Sequence, residues 1–369
     1  MIPSKIIELI KSDPGWKETI ENLGIKYKQD GDLAIFNYGI SCDFTNPIVQ
    51  EARGIIIDIK NLRVVCWPYR KFGNAHEPYA DTINWDSCRV EDKIDGSIVK
   101  LYHWNGKWKW ATNSCIDALY APVTNDKMNF LGVIQSAVNY SAIPFDELDQ
   151  NLTYIFELVS PETQVVIRYP QTKLFHIGTR NNVTGEEYRI SIGIEQPKTY
   201  PLHTLDDCIE AAKNLNAGNM DVKKEGFVVV DNEWHRIKVK SPEYLMAHRL
   251  WSNGNVSKDR IIQILKEDSR SIEEICKPIP RLSVYMKYYD YRIAELEQNV
   301  SDYIDYVRGM YEEHGHDRKA VALQIKDQKY AGFGFKAIGN NKTAKEILDE
   351  MSFSKYSQLI PDYVRSDII

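Results

Sequence analysis

Short runs of β-branched and aromatic residues recur through the first two thirds of the chain, and helical spacing replaces them afterwards. Turn residues separate the runs, which is typical of strands in antiparallel sheets. We predict strands over residues 33–38, 54–59, 62–67, 98–102, 108–112, 154–159, 165–169, 173–180, 225–230 and 235–240. The pattern therefore indicates a sheet-rich N-terminal part.

Three segments of this part have helical spacing instead. Residues 1–25 carry an apolar stripe that Asp13-Pro14-Gly15 interrupts. Residues 126–149 also have helical spacing, and residues 205–216 follow Thr204, a candidate N-cap. We expect these helices to flank the sheets.

The last third of the chain has helical spacing throughout. It begins at Ser241, a candidate N-cap that Pro242 follows, and its longest helical stretch is 282–313. A series of strands such as a five-stranded OB-fold requires does not appear there. We predict an α+β fold with antiparallel sheets and flanking helices over residues 1–244 and an all-helical domain over residues 245–369.

Composition narrows the class of protein. The 369 residues are 43% hydrophobic, which suits two globular domains. Because the chain has no apolar run of about 18 residues and no apolar signal segment, we expect neither a membrane span nor a membrane partner. The six cysteines lack C-x-x-C spacing, which favours a reduced, cytosolic protein without a zinc site. A net charge of −6 argues against nucleic-acid binding through bulk charge, but it leaves a local basic groove open.

The candidate chemistry centres on a lysine beside a tight turn, in Lys93-Ile94-Asp95-Gly96-Ser97. Glycine there lets the backbone approach a ligand closely. Lys93 is either a surface lysine next to a hairpin or a covalent nucleophile. Since only a neutral amine is nucleophilic, the second interpretation requires burial or neighbouring cations that lower the lysine pKa.

The Lys-x-Asp-Gly-Ser motif resembles that of the covalent nucleotidyltransferases, which comprise DNA ligases, RNA ligases and mRNA capping enzymes. In that superfamily the motif lysine attacks the α-phosphate of a nucleoside triphosphate and forms a lysyl-nucleotide. The resemblance covers roughly residues 30–245, because further charged residues follow the family's order and spacing: Arg53, Lys71, Glu157, Glu225, Lys238 and Lys240. The helical continuation resembles RNA ligases of the phage T4 RNA ligase 1 type, whereas DNA ligases and capping enzymes usually carry an OB-fold there.

The resemblance implies a role for each residue. Lys93 is the catalytic nucleophile, and the cofactor-binding residues are Arg53, Lys71, Asp92, Lys93, Glu157, Lys238 and Lys240. Of these, Arg53 and Glu157 contact the ribose, and the three other lysines bind phosphates. Glu225, with Glu157, holds Mg²⁺ or Mn²⁺, partly through water. Taken singly, each residue also has a simpler interpretation, such as a strand-edge arginine, a loop cation or a salt-bridged core glutamate.

Two positions depart from the family pattern. Gly73 stands where the family has a second aromatic residue after Lys71-Phe72, and Asn113 stands where a basic residue is common.

The simpler interpretation of Lys238 and Lys240 is a solvated strand face, although strand periodicity places them with Arg236 on one side.

The activity implied by the resemblance is that of an ATP-dependent RNA ligase. Such an enzyme joins 3′-OH and 5′-phosphate RNA ends through a lysyl-AMP and an adenylylated RNA. The implied partners are RNA ends, among them nicked tRNA, and an end-healing kinase or phosphatase, in the cytoplasm of a phage-infected or bacterial cell. Two alternatives stay open: a GTP-using capping enzyme or DNA ligase, and a non-catalytic RNA-end binding protein.

Overall fold

The computed structural model describes residues 2–39, 41–123, 128–216, 222–252, 255–340 and 342–363. Contacts along the chain divide it into two units, Met1–His248 and Arg249–Ile369. None of the helices in the described ranges is both long and apolar enough to span a bilayer.

Strands dominate the first unit. Their bounds are β1 (Ile25–Asp30), β2 (Leu33–Tyr38), β3 (Arg53–Asp58), β4 (Arg63–Cys66), β5 (Arg89–Lys93), β6 (Ser97–Trp104), β7 (Lys107–Thr112), β8 (Leu152–Val159), β9 (Lys173–Asn181), β10 (Glu187–Tyr188), β11 (Thr199–Tyr200), β12 (Gly226–Val230) and β13 (Arg236–Lys240). They form three antiparallel sheets with the orders β1-β2-β3-β4, β10-β9-β8-β6-β7 and β11-β5-β12-β13. The predicted antiparallel sheets are confirmed.

The helices of the first unit are short. They are α1 (Lys5–Ser12), α2 (Trp16–Asn22), α3 (Pro47–Glu51), α4 (Phe130–Gln135), α5 (Leu205–Asn214) and α6 (Pro242–Leu250), the last of which crosses into the second unit. Thr204 caps α5 by accepting a hydrogen bond from the Asp207 amide, and Ser241 accepts one from the Tyr244 amide at 3.1 Å. Both predicted N-caps are therefore confirmed.

The Lys-x-Asp-Gly-Ser motif joins two of the sheets. Lys93 ends β5 in the third sheet, and Ser97 begins β6 in the second sheet. The turn between them passes so close to β8 that a Cβ on Gly96 would clash with the Leu158 carbonyl. Glycine is therefore required at this crossing, and it brings β5 and β8 together around Lys93.

Two elements predicted for this unit are wrong. Residues 165–169 are not a strand, because the amides of Val166 and Ile167 donate to the Asp95 carboxylate at 2.9 and 2.7 Å instead of pairing with another strand. Residues 126–149 are not one helix. Residues 126 and 127 lie outside the described residues, and the remainder contains only α4 and the short 3₁₀ turn Tyr140–Ala142. Its apolar residues pack onto the second sheet from several short pieces, so helical spacing misled the prediction.

The second unit is built on a 31-residue helix, α9 (Ser283–Glu313). The other elements are β14 (Trp251–Ser252), β15 (Asn255–Val256), α7 (Lys258–Glu267), α8 (Ile272–Cys276), α10 (Arg318–Ile325), α11 (Ala331–Asn340), α12 (Ala344–Asp349) and α13 (Phe353–Leu359). Helices α7, α8, α10, α11 and α12 pack against α9. The predicted helical character is confirmed, apart from the two-residue strand pair β14-β15, which was not predicted.

Candidate active site

The crossing between the second and third sheets borders a cavity of about 610 Å³. This volume suits a nucleotide-sized ligand. Predicted site residues that line the cavity are Arg53, Asp92, Lys93, Glu157, Lys238 and Lys240. Glu225 and Lys71 are not part of the lining, although Glu225 contacts two residues that are. The fold thus brings together most of the predicted site from four different strands, β3, β5, β8 and β13.

Glu225 pairs with two lysines of the site. Strand register places Gly226 opposite both Lys93 on β5 and Lys240 on β13, so the preceding Glu225 lies between them. Its carboxylate oxygens are 2.9 Å from the Lys93 Nζ and 2.9 Å from the Lys240 Nζ, and the side chain is 2% exposed. This pairing neutralises the carboxylate and fixes both ammonium groups at the cavity.

The charge state of Lys93 differs from the expectation. Burial lowers the pKa of Lys93, but the carboxylates of Glu225 and Glu157 outweigh it and raise the pKa overall. The prediction that the surroundings lower this pKa is wrong for the unliganded protein, because Glu225 accepts a hydrogen bond from the ammonium group. Lys93 is therefore held protonated and must lose a proton before it can act as a nucleophile.

Glu157 is the second buried carboxylate of the site. It lies on β8 opposite Ile98, and its Oε1 accepts a hydrogen bond of 3.2 Å from the Gly96 amide. Burial raises the pKa of Glu157 to about 7, against the attraction of Lys93 and with added repulsion from Glu225. A further cation close to Glu157 would therefore be stabilised.

The carboxylates of Glu157 and Glu225 also fit a metal ion that arrives with a ligand. Among the described residues, no group of three or more histidine, cysteine or acidic side chains could hold a metal by itself. Mg²⁺ is commonly bound by one or two carboxylates together with water and phosphate oxygens. Two neighbouring glutamates match that share of the ligands, and a nucleotide and water would have to supply the rest.

Three basic side chains of the predicted site, Arg53, Lys71 and Lys238, have no carboxylate within salt-bridge distance among the described residues. The Arg53 guanidinium and the Lys238 Nζ lie 5.4 and 4.7 Å from the centre of the Phe72 ring. The Lys71 Nζ lies 4.7 Å from the Phe44 ring. Burial and the repulsion from Arg53 and Lys71 lower the pKa of Lys238 to about 6. An anion bound here would relieve this repulsion.

The two aspartates of the motif region have protein partners. Asp92 accepts a 2.8 Å hydrogen bond from the Tyr200 hydroxyl and pairs with Lys224. Asp95 accepts a 2.7 Å bond from the Tyr244 hydroxyl, besides the two amide hydrogen bonds described above. Both carboxylates thus hold the backbone around Lys93 in place.

Several residues of the site were missed or underestimated from the sequence. Phe72 lies beneath Arg53 and Lys238. Its position directly after Lys71 was the feature of the sequence that could have identified it. Arg236 lies 3.9 Å above the Tyr69 ring and pairs with Glu187 at 2.6 Å. The alternation of basic and apolar residues along β13 was the feature of the sequence that could have identified Arg236 as a site residue. At Gly73, a Cβ would lie 3.1 Å from the Ala80 Cα and 3.2 Å from the Tyr79 ring, so a larger side chain has little room there.

Known proteins are similar to this chain over the part that carries the candidate site. A family model described as RNA ligase matches residues 51–244. A protein of Autographa californica nuclear polyhedrosis virus, described as a bifunctional polynucleotide kinase/RNA ligase, is 28% identical over 66% of this chain. An RNA ligase of Rhodothermus phage RM378 is 26% identical over 63% of this chain and 68% of its own length. The chain spans only 38% of the length of the viral relative.

An archaeal ATP-dependent RNA ligase superposes with a TM-score of 0.49 at 13% identity, over 78% of this chain and 80% of the archaeal one.

Proposed function

The chain belongs to the RNA ligase family, and on this basis we propose that it is an ATP-dependent RNA ligase joining 3′-OH and 5′-phosphate RNA ends. Lys93 is the nucleophile in this proposal. The observation that carries it is the position of Lys93 at a nucleotide-sized cavity, paired with Glu225 and close to cations without carboxylate partners.

In the first step the amine of Lys93 attacks the α-phosphate of ATP. A phosphorus–nitrogen bond forms, and the bond to pyrophosphate breaks. Because Lys93 donates its proton toward Glu225 in the unliganded protein, that proton must leave before the attack. Lys238 and Lys240 bind the phosphates, with Lys71 assisting from outside the cavity lining.

The remaining site residues orient the nucleotide. Arg53 and Glu157 hold the ribose, while Asp92 keeps β5 in place beneath it. When bound, Mg²⁺ held by Glu225 and Glu157 would offset the negative charge of the triphosphate.

The later steps consume the lysyl-AMP. The AMP passes to an RNA 5′-phosphate, and a 3′-OH then displaces AMP to give a phosphodiester. Contacts to 2′-OH groups would separate RNA from DNA. We assign these nucleotidyl-transfer steps to residues 1–244 and the choice of RNA, with nicked tRNA as a candidate, to residues 245–369.

The sources of the relatives suggest where the enzyme acts and with whom. The viral relative described as a kinase/ligase supports a partner that prepares RNA ends. The viral and phage sources fit an enzyme that acts in an infected or bacterial cell, and its place in the cytoplasm is part of the proposal.

The test uses a 5′-labelled RNA with a 3′-OH, incubated with the protein, Mg²⁺ and either ATP or GTP. We expect ATP to make the label resistant to phosphatase, and the Lys93→Ala variant to leave it sensitive. Joining with GTP or of DNA ends would favour the other enzymes of the superfamily. RNA binding without any joining by the wild-type protein would contradict the proposal and favour an RNA-end binding protein.

A further inference from the structure

Lys100 is a buried cation in an apolar strand. It lies on β6 and its side chain is 0% exposed. Its Nζ donates a hydrogen bond of 2.6 Å to the Gly54 carbonyl. Within the described ranges it has no carboxylate at salt-bridge distance. Burying an ammonium group without a counter-ion is unfavourable, so its presence indicates a role other than packing.

The bond from Lys100 holds the backbone at the start of β3. Gly54 has a φ of +82°, in the left-handed region that favours glycine. A Cβ at this position would lie 2.6 Å from the Lys100 Nζ and 2.6 Å from the Asn113 carbonyl oxygen. The backbone of Gly54 is thus enclosed between Lys100 on one strand and Asn113, which lines the cavity, on the other side.

Arg53 immediately precedes this enclosed glycine. Its guanidinium lies over Phe72 and lines the cavity, and among the described residues it has no ion pair that would fix its direction. The side chain therefore depends on its backbone and on Phe72 for its position. The backbone of Arg53 pairs with Asn37 on β2, and Lys100 holds the carbonyl of the residue that follows it.

We propose that Lys100 is a positioning residue for nucleotide binding, whose hydrogen bond to the Gly54 carbonyl fixes Arg53 at the cavity wall. The inference rests on the proposed function, in which Arg53 contacts the ribose of ATP. The ionisable groups that face Lys100 are Arg53 on β3, Cys66 on β4 and Cys115 after β7. Burial lowers the pKa of Lys100 to about 8, which still leaves most of the ammonium charged at neutral pH.

A double-mutant cycle tests this inference. The rate of lysyl-AMP formation is measured against ATP concentration in a single turnover for the wild type, Lys100→Met, Arg53→Ala and the double variant. We expect each single substitution to raise the half-saturating ATP concentration roughly tenfold, and the double variant to stay within about threefold of Arg53→Ala. Two results would overturn the inference. One is a half-saturating ATP concentration about 100-fold above wild type in the double variant, and the other is wild-type saturation in Lys100→Met.

A matched control separates positioning from general stability. Tyr102 lies on the same strand, is 0% exposed and donates a 2.8 Å hydrogen bond to the Ile116 carbonyl. Tyr102→Phe removes a buried bond of the same kind without touching Gly54, so it should leave ATP saturation unchanged even where it lowers the unfolding midpoint. An equal rise in Tyr102→Phe would show a structural role only and would contradict the proposal.

Two further observations keep the outcome unambiguous. If Lys100→Met does not fold, Lys100→Leu, which also lacks a donor, replaces it under the same criteria. If the wild-type protein itself forms no lysyl-AMP, the proposed function fails. If the wild type forms it and the Lys100 variants saturate normally, only the role of Lys100 fails.

Discussion

Replacing Glu157 by glutamine should stabilise the unliganded protein at pH 8 while it removes the first catalytic step. The structure raises the pKa of this carboxyl group from 4.5 to about 7, chiefly by burial. The neutral form therefore stabilises the fold below pH 4.5, and this contribution is lost as the pH rises through 7. Glutamine keeps an acceptor for the Gly96 amide and carries no charge at any pH.

The magnitude follows from the size of the pKa change. One pKa unit corresponds to about 1.4 kcal/mol, so the ionised Glu157 lowers the free energy of unfolding by roughly 3 kcal/mol at pH 8. We expect Glu157→Gln to unfold with a free energy about 2–3 kcal/mol higher than the wild type at pH 8, and within about 1 kcal/mol of it at pH 5.

Urea denaturation of both proteins at the two pH values measures this difference, with a chelator present and no nucleotide. The control is Glu147→Gln, which removes an exposed carboxylate and should change stability at neither pH. A Glu157→Gln protein that is no more stable than the wild type at pH 8 would refute the reasoning. It would mean that the attraction between Glu157 and Lys93 outweighs the cost of burying the carboxylate.

Three further predictions concern residues around Lys93. Lys240→Ala removes one partner of Glu225 and the phosphate contact proposed above, so lysyl-AMP formation should fall about 100-fold in a single-turnover assay. A change below about threefold would contradict the proposed role of Lys240. Phe72→Leu removes the ring beneath Arg53 and Lys238, so the half-saturating ATP concentration should rise about 3- to 10-fold; unchanged saturation would count against that contact. Tyr244→Phe removes the donor to the Asp95 Oδ1, while the two amides still donate to Oδ2. It should lower the free energy of unfolding by about 1–2 kcal/mol in urea, which an unchanged midpoint would disprove.

Local patterns predicted most of the strands that carry the site, but they missed β5, which carries Asp92 and Lys93. Alternation in β13 placed Arg236, Lys238 and Lys240 on one face, and all three line the cavity. The glycine after Asp95 predicted a tight turn beside Lys93, and the structure places a sheet crossing there. These features depend on residues close in sequence, so the sequence pattern contains them.

Features that depend on distant residues were not predictable in the same way. Glu225 pairs with Lys93 across 132 positions, and this pairing reverses the expected direction of the pKa of Lys93. The segment 165–169 has strand-like residues, but its amides bind Asp95 from another part of the chain. Lys100 had no signal beyond a charge within an apolar run, because its partner Gly54 lies on a different sheet.

The most direct test of the central claim is covalent labelling of the chain. The purified protein, shown to be free of bound AMP, is mixed with α-labelled ATP or GTP and Mg²⁺ without RNA, and it is then denatured and separated. We expect label from ATP to remain on the chain, and Lys93→Ala to abolish it. An unlabelled wild-type chain would contradict Lys93 as a nucleophile and the ligase function with it.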